Sequence, residues 1–338
     1  MSTSEDVALG EQMLASIRGL PEQFAAGLGF AGETGAALRG VRRVVVCGMG
    51  GSAFPADLLR LHPAAAHLEL TVSRDYVVHD DALGPDVLVI ASSFSGGTEE
   101  TLSALDDARA RGARVAVVTA GGRLAEVAQR DHLPWVRLER PADDFQPRAA
   151  TGFFVGAFAG LLHHAGLMSD PAPALTALAA ALRTAADVED RACALARRLR
   201  GRVVVIYATH PFADVARVAK IKLNENAKTP AFSSVLPEMN HNEMCGFTRL
   251  PAPFAAVMLR DPTVSPRMSR RIDVTRATLE ANGVPVDVVD LEGNNAIERA
   301  FGALHLFDFA SWWLAVLDGV DPNPVEMIED FKRRLGQR

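Results

Sequence analysis

The sequence predicts an α/β protein of two parallel-sheet domains, and three observations carry that prediction. Short β-branched runs recur along the chain, each followed by a turn of glycine or small polar residues and then by a helical pattern. Short buried strands alternating with helices imply parallel pairing, because parallel strands need crossover connections. The series stops near residue 138 and restarts near residue 203, and 338 residues suit two domains better than one core.

The elements follow in order. Residues 7–40 carry apolar positions at helical spacing (Leu14, Ile17, Leu20, Phe24, Leu28), broken by Pro21 and glycines, which predicts a helical N-terminal arm. Val41 to Cys47 is a strand, Gly48 to Ala53 its turn, and Asp57 to Leu61 the start of a helix. The grammar repeats with a strand at Val87 to Ala91, a turn at Ser92 to Gly97 and a helix at Glu99 to Arg111. Val115 to Thr119 and Leu133 to Leu138 are further strands, with a helical segment after Gly121-Gly122. Residues 152–167 predict a buried, glycine-dotted helix, and 171–200 an alanine-rich helical connector. Strands return at Val203 to Tyr207, Phe254 to Leu259 and Val284 to Val289. The expected domains are therefore 1–170 and 201–338. A last helix is signalled by Asn323 as its cap, Pro324 at its first position and Glu326 at its third, with Lys332, Arg333 and Arg334 in its final turn.

Composition excludes several classes. A net charge of -6 argues against a nucleic-acid or anionic-membrane surface, while leaving room for a local phosphate pocket. Cys47, Cys193 and Cys245 show neither CxxC pairing nor metal-ligand spacing, which fits a reducing compartment. Met1 to Asp6 is polar and acidic, so no signal peptide begins there, and no uninterrupted apolar run reaches the roughly 20 residues of a membrane helix. A cytoplasmic enzyme is expected.

Three segments carry chemistry. In Gly48-Met-Gly-Gly51-Ser52-Ala53, glycines let the backbone approach a ligand and the following helix N-terminus favours anions. The same residues fit a degenerate dinucleotide pattern, which asks for an acid at the end of the second strand; Glu69 and Asp75 lie in that region without filling the place. The bland alternative is glycine that merely permits strand–helix packing. In Ser92-Ser93-Phe-Ser95-Gly-Gly-Thr98-Glu-Glu, hydroxyls and free amides at a helix start form a phosphate cradle that needs no lysine. Against it stands an ordinary cap, with Thr98 capping and Glu99 and Glu100 set against the dipole. The third segment runs from Lys222 to Pro230 and on through Pro237-Glu-Met-Asn-His241-Asn-Glu243. Glu225 and His241, each between asparagines, supply a carboxylate and an imidazole. Aldose–ketose isomerisation needs such a pair: a base moves a proton between C2 and C1, and an acid opens the ring. A polar surface loop with asparagine caps is the alternative. His-x-Glu alone lacks the clustering of a zinc site.

Together Gly48-Met-Gly-Gly-Ser52, Ser93 to Leu102, Leu223 to Lys228, Pro237 to Glu243 and Gly319-Val-Asp-Pro-Asn-Pro-Val325 resemble the bifunctional phosphoglucose/phosphomannose isomerase family, in that family's order. The resemblance implies two sugar-isomerase (SIS) domains, each a flavodoxin-like doubly wound parallel sheet, a homodimer, and no metal or organic cofactor. It also implies roles: Ser93, Ser95 and Thr98 for the phosphate, with Gly51 and Ser52 nearby; Arg148 for the enediolate oxygen; Glu225 for the proton shuttle; His241, supplied by the partner subunit, for ring opening. The substrates implied are glucose 6-phosphate and mannose 6-phosphate, interconverted with fructose 6-phosphate.

The chain departs from the family pattern at three positions. Phe94 and Gly97 stand where the phosphate loop carries Tyr and Asn, and Trp313 where members carry Lys or Tyr. Indole can act neither as a general acid nor as a cation. His305 is a candidate accessory residue, weighed against a histidine that simply packs in its helix. Two rivals remain open: a non-catalytic sugar-phosphate sensor, and a nicotinamide-dependent oxidoreductase built on Gly48 to Ala53.

Overall fold

The computed structural model describes residues 10–79, 83–142, 145–185 and 187–336; the start of the expected arm, at 7–9, and the Met1 to Asp6 segment lie outside the described residues. The chain begins with α1 (Glu11–Arg18) and α2 (Leu20–Ala31). Then follow β1 (Arg43–Cys47), α3 (Phe54–Leu59), β2 (Glu69–Ser73), β3 (Val87–Ser92), α4 (Glu99–Ala110), β4 (Arg114–Thr119), α5 (Gly122–Arg130), β5 (Trp135–Arg137), α6 (Thr151–His164) and α7 (Ala172–Thr184). The second series is α8 (Val188–Leu199), β6 (Val203–Thr209), α9 (Ala213–Asn226), β7 (Ala231–Leu236), β8 (Phe254–Arg260), α10 (Pro266–Ala281), β9 (Val286–Asp290), α11 (Ala296–Asp318) and α12 (Glu326–Leu335).

These elements form two compact units. The N-terminal unit is Gly19–Ala180 with the chain from Glu326 onward; the C-terminal unit is Ala181–Val325 with the chain up to Arg18. Helix α1, expected in an N-terminal arm, thus groups with the C-terminal unit, where Trp312 Nε1 donates to the Gly10 carbonyl at 3.0 Å. Of the expected connector, α8 packs against α11 inside the same unit.

Both sheets are wholly parallel, in the orders β2-β1-β3-β4-β5 and β7-β6-β8-β9. In each, the chain leaves the first strand toward one edge and then returns past it to build the other. The carboxyl ends of β1 and β3, and of β6 and β8, therefore flank a switch point, the place where doubly wound sheets bind ligands. Strands β1, β3 and β4 are almost fully buried, as a sheet covered on both faces requires. The sequence patterns miss β2 and β7. Both are edge strands whose polar residues interrupt any apolar run, and Phe232 on β7 is largely exposed.

The glycine-dotted helix is explained by contact. A Cβ on Gly27 of α2 would stand 2.2 Å from the Phe153 carbonyl oxygen of α6, and one on Gly156 2.3 Å from that of Phe24. The two helices meet backbone to backbone, which larger residues would prevent. Helix α11 is long and apolar enough to cross a membrane by length and composition, yet 83% of its most apolar window is buried in the protein; it is the core helix of its unit. At the chain end a correction is needed: α12 starts at Glu326, so Asn323 and Pro324 precede it. Asp321 accepts from the Asn323 amide at 2.9 Å, and its carbonyl accepts from Lys228 Nζ at 2.8 Å, so this turn is tied down before a helix can begin.

Candidate active site

In the N-terminal unit the two motifs leave β1 and β3 at the switch point. A Cβ on Gly51 would stand 2.7 Å from the Pro147 carbonyl, so only glycine lets the 3₁₀ turn Gly50–Ser52 lie against the turn Pro147–Ala149 that carries Arg148. Ser52 is buried and binds the next loop twice. Its hydroxyl accepts from the Phe94 amide at 2.9 Å, and its carbonyl accepts from the Ser92 hydroxyl at 2.6 Å. Ser52 therefore shapes the serine loop.

Within that loop the hydroxyls converge. Ser93 Oγ lies 2.8 Å from Thr98 Oγ1 and 3.4 Å from Ser95 Oγ. Ser93 accepts from the Gly96 amide and Ser95 from the Gly97 amide. Thr98 occupies the cap position of α4 but makes no capping bond; its hydroxyl turns to Ser93 instead. An ordinary cap would do the opposite, so the capping alternative fails at its central residue. Gly96 has φ +72°, and a Cβ there would stand 1.7 Å from the Gly121 carbonyl. At Gly97, where the family carries Asn, a Cβ would meet nothing within 4 Å, so the departure leaves open space beside the hydroxyls. Phe94 is buried against Phe145 and Phe154, a site with no need of a tyrosine hydroxyl. Arg148 is 2% exposed, and its Nη1 donates to Gln146 Oε1 at 3.0 Å. A guanidinium so buried needs its charge and donors satisfied by its neighbours, which hold it in one orientation. Asp75 lies beyond the end of β2 and is engaged by His79 and the Tyr76 amide.

In the C-terminal unit the asparagine motif ends α9, and its polar residues hold the helix end together. Lys222 pairs with Asp308 of α11 at 2.7 Å, both almost wholly buried. Asn224 Nδ2 donates to the Thr229 carbonyl at 2.9 Å, and Asn226 Nδ2 to Ser311 Oγ at 2.9 Å. Lys228, at φ +52°, turns back so that its ammonium donates to the Glu225 carbonyl at 2.9 Å, a cation at the negative end of the helix. Glu225, half-buried, sits at this helix end between the two asparagines.

His241 is exposed at the end of the 3₁₀ turn Glu238–His241, and its neighbours anchor it. Met239 is buried, and Asn240 Nδ2 donates to Thr275 Oγ1 at 2.9 Å. Glu243 accepts from Ser234 and, at 3.2 Å, from Tyr207. Burial and the Glu243 charge push the Tyr207 phenol far up, so it stays a donor. Glu225 precedes β7 and His241 follows it, so they flank opposite ends of a strand whose six residues span about 17 Å. His305 is buried edge-on against Phe309 at 4.8 Å, its Nδ1 without a partner among the described residues. Burial lowers its pKa against the opposing Asp308 carboxylate, which keeps the ring neutral. Trp313 packs on Trp312 at 4.7 Å, and its indole nitrogen also lacks a partner among the described residues.

Sequence reasoning missed the Lys222–Asp308 pair, whose partners are far apart in the chain, and the anchoring role of Glu243. A lysine within an otherwise buried helix face was the available signal for the first.

Residues 188–335 match the model of the bacterial phospho-glucose isomerase C-terminal SIS domain. The chain is 32% identical over 344 residues to the bifunctional phosphoglucose/phosphomannose isomerase of Caldicellulosiruptor bescii, covering 96% of this chain and 99% of that one. It is 33% identical over 300 residues to the enzyme of the same description from Aquifex aeolicus, covering 86% and 90%. Its fold is similar to the crystal structure of a hypothetical protein from Thermus thermophilus, with a TM-score of 0.72 at 19% identity over 96% of this chain and 92% of that one. Fold and relatives define the class as a SIS-type sugar-phosphate isomerase. Within it, the chain belongs to the bifunctional phosphoglucose/phosphomannose isomerase family.

Proposed function

We propose that this protein interconverts glucose 6-phosphate and mannose 6-phosphate with fructose 6-phosphate through a cis-enediolate, without a metal ion, as a cytoplasmic homodimer. The observation that supports this reading is the Asn224–Glu225–Asn226 helix end, where Asn224, Asn226 and Lys228 are bonded to Thr229, Ser311 and the Glu225 backbone carbonyl and so fix the backbone that carries the Glu225 carboxylate. Glu225 takes the proton from C2 and returns it at C1; because the enediolate has no stereocentre at C2, the same base serves both aldoses. Arg148 supplies the positive charge for the enediolate oxygen. Ser93, Ser95, Thr98 and the amides at the start of α4 bind the phosphate, which neither forms nor breaks bonds. His241 opens the ring from the partner subunit; the strand separating it from Glu225 in one chain supports that division.

The test is purified protein with fructose 6-phosphate and a chelator, without nucleotide, followed by NMR in deuterated water. Formation of both aldose phosphates, with deuterium entering at C2, is expected. Binding without turnover would make the protein a sensor, and turnover only with a nicotinamide nucleotide would make it an oxidoreductase.

A further inference from the structure

Helix α10 opens with a charge pattern that works against its own stability. Arg270 and Arg271 follow Arg267 by three and four residues, so all three share one face. Like charges at that spacing repel, and Arg267 lies in the first turn, where the helix dipole disfavours a cation. That turn holds no acidic residue, and its cap is the uncharged Ser265. Asp273, the first acid along the helix, faces Arg260 at 3.8 Å.

The same face borders a cavity of about 320 Å³ between α10 and the segment 240–244, all within the C-terminal unit. The three arginines line it together with Asn240, Met244 and Val274, and no carboxylate lines it among the described residues. Arg267 and Arg270 are exposed and, among the described residues, have neither a hydrogen bond nor a carboxylate partner. Arg271 is half-buried and held in place. Its Nη1 donates to Asn240 Oδ1 at 3.1 Å, and Asn240 Nδ2 donates to Thr275 Oγ1 at 2.9 Å. Half-buried Met244 and half-exposed Val274 give the cavity an apolar side.

Three cations around a cavity without an acid define the class of ligand. A guanidinium presents paired donors that match the oxygens of phosphate or carboxylate. A single negative charge would leave most of the repulsion among the arginines in place, so the ion that fits carries two or more. The volume lies at the lower end of small-molecule sites, roughly 300–1,000 Å³. A net charge of -6 on the chain disfavours a nucleic acid as the source of that charge.

We propose that this cavity binds a small polyanion, its charge carried on phosphate or carboxylate groups, through Arg267, Arg270 and Arg271. Arg271, fixed by Asn240, is the contact set in advance. Arg267 and Arg270 close on the anion from the rim, and binding relieves their repulsion. The apolar side formed by Met244 and Val274 takes the ligand's carbon body. None of these residues takes part in the isomerase reaction proposed above, and the serine loop assigned to the substrate phosphate belongs to the other unit.

The test is titration calorimetry of the full chain at low ionic strength with pyrophosphate, citrate and acetate. It compares wild type with Arg267→Gln/Arg270→Gln and with Ser95→Ala, all changes at exposed residues. Wild type should bind pyrophosphate or citrate, and acetate at least about tenfold more weakly; the stronger of the two polyanions separates phosphate from carboxylate chemistry. The arginine variant should lose at least about tenfold in affinity for that polyanion, while Ser95→Ala keeps it. Without ligand the arginine variant should melt no lower than wild type, since a repulsive pair has been removed. Undiminished binding in the arginine variant overturns the site, as does a wild type that binds neither polyanion. Loss of binding in Ser95→Ala alone also overturns it, and places the anion at the serine loop. A clear drop in melting temperature of the arginine variant makes the arginines structural and overturns the site as well.

Discussion

The two sheets share a winding but treat their switch points differently. Between β1 and β3, the loops are glycine and serine, the hydroxyls face one another, and a helix N-terminus stands behind them. At the equivalent point between β6 and β8 the loops read Thr209-His-Pro-Phe212 and Asp261 to Ser265. There Asp261 is 3% exposed, accepts from the Thr263 amide and hydroxyl, and faces Arg299 at 3.5 Å. A carboxylate of the protein's own already occupies the position that hydroxyls hold in the first sheet. Hydroxyls and amides line one switch point, and a buried carboxylate facing an arginine lines the other. The candidate residues of the second unit lie elsewhere, at the end of α9 and in the turns after β7. In the proposed function the same winding serves two tasks, phosphate binding and proton transfer, divided by loop chemistry rather than topology.

The largest expected effect tests that division directly. Glu225→Gln keeps the size and hydrogen bonding of the side chain but removes its basicity, so kcat should fall about 10²- to 10⁴-fold. Calorimetric affinity for fructose 6-phosphate should hardly move; lost affinity would place phosphate binding in the second unit too. Next, Asp308→Asn strands the buried Lys222 ammonium and should destabilise the protein by about 3–5 kcal/mol in urea unfolding. Lys222→Met/Asp308→Leu should recover most of that loss. If the double variant is no better than the single one, the pair does more than support α9.

Smaller effects belong to the first unit. Ser52→Ala leaves the buried Phe94 amide unpaired and should cost about 1–3 kcal/mol of stability. Ser95→Ala removes one hydroxyl from the cradle and should raise KM roughly 2- to 10-fold with kcat unchanged, because phosphate is held alike in ground and transition states. A fall in kcat instead would bring that loop into the chemistry. The smallest effect compares one histidine from each unit. Burial lowers the pKa of both His62 and His305 below the unfolded value. Each therefore adds stability above the ordinary histidine range, near pH 6.5, which is lost as pH falls below it. Melting between pH 8 and pH 5 should show this loss, at most about 1.4 kcal/mol per pH unit for each ring. His305→Leu and His62→Leu should each flatten part of it.

The amino-acid sequence by itself determined the strand–turn–helix alternation, the buried central strands and the motifs that mark the family. Those features are local: a β-branched run, a glycine turn or a serine cluster acts over a few residues, and apolar periodicity records burial directly. The edge strands β2 and β7 were not legible, because an edge strand is half solvated and its ladder comes from a neighbour elsewhere in the chain. Only the tertiary structure decided that Lys222 would meet Asp308, that Thr98 would face Ser93 instead of capping its helix, and that Glu225 and His241 would flank opposite ends of one strand. Each depends on where distant segments come to rest, and residue types alone do not carry that distance.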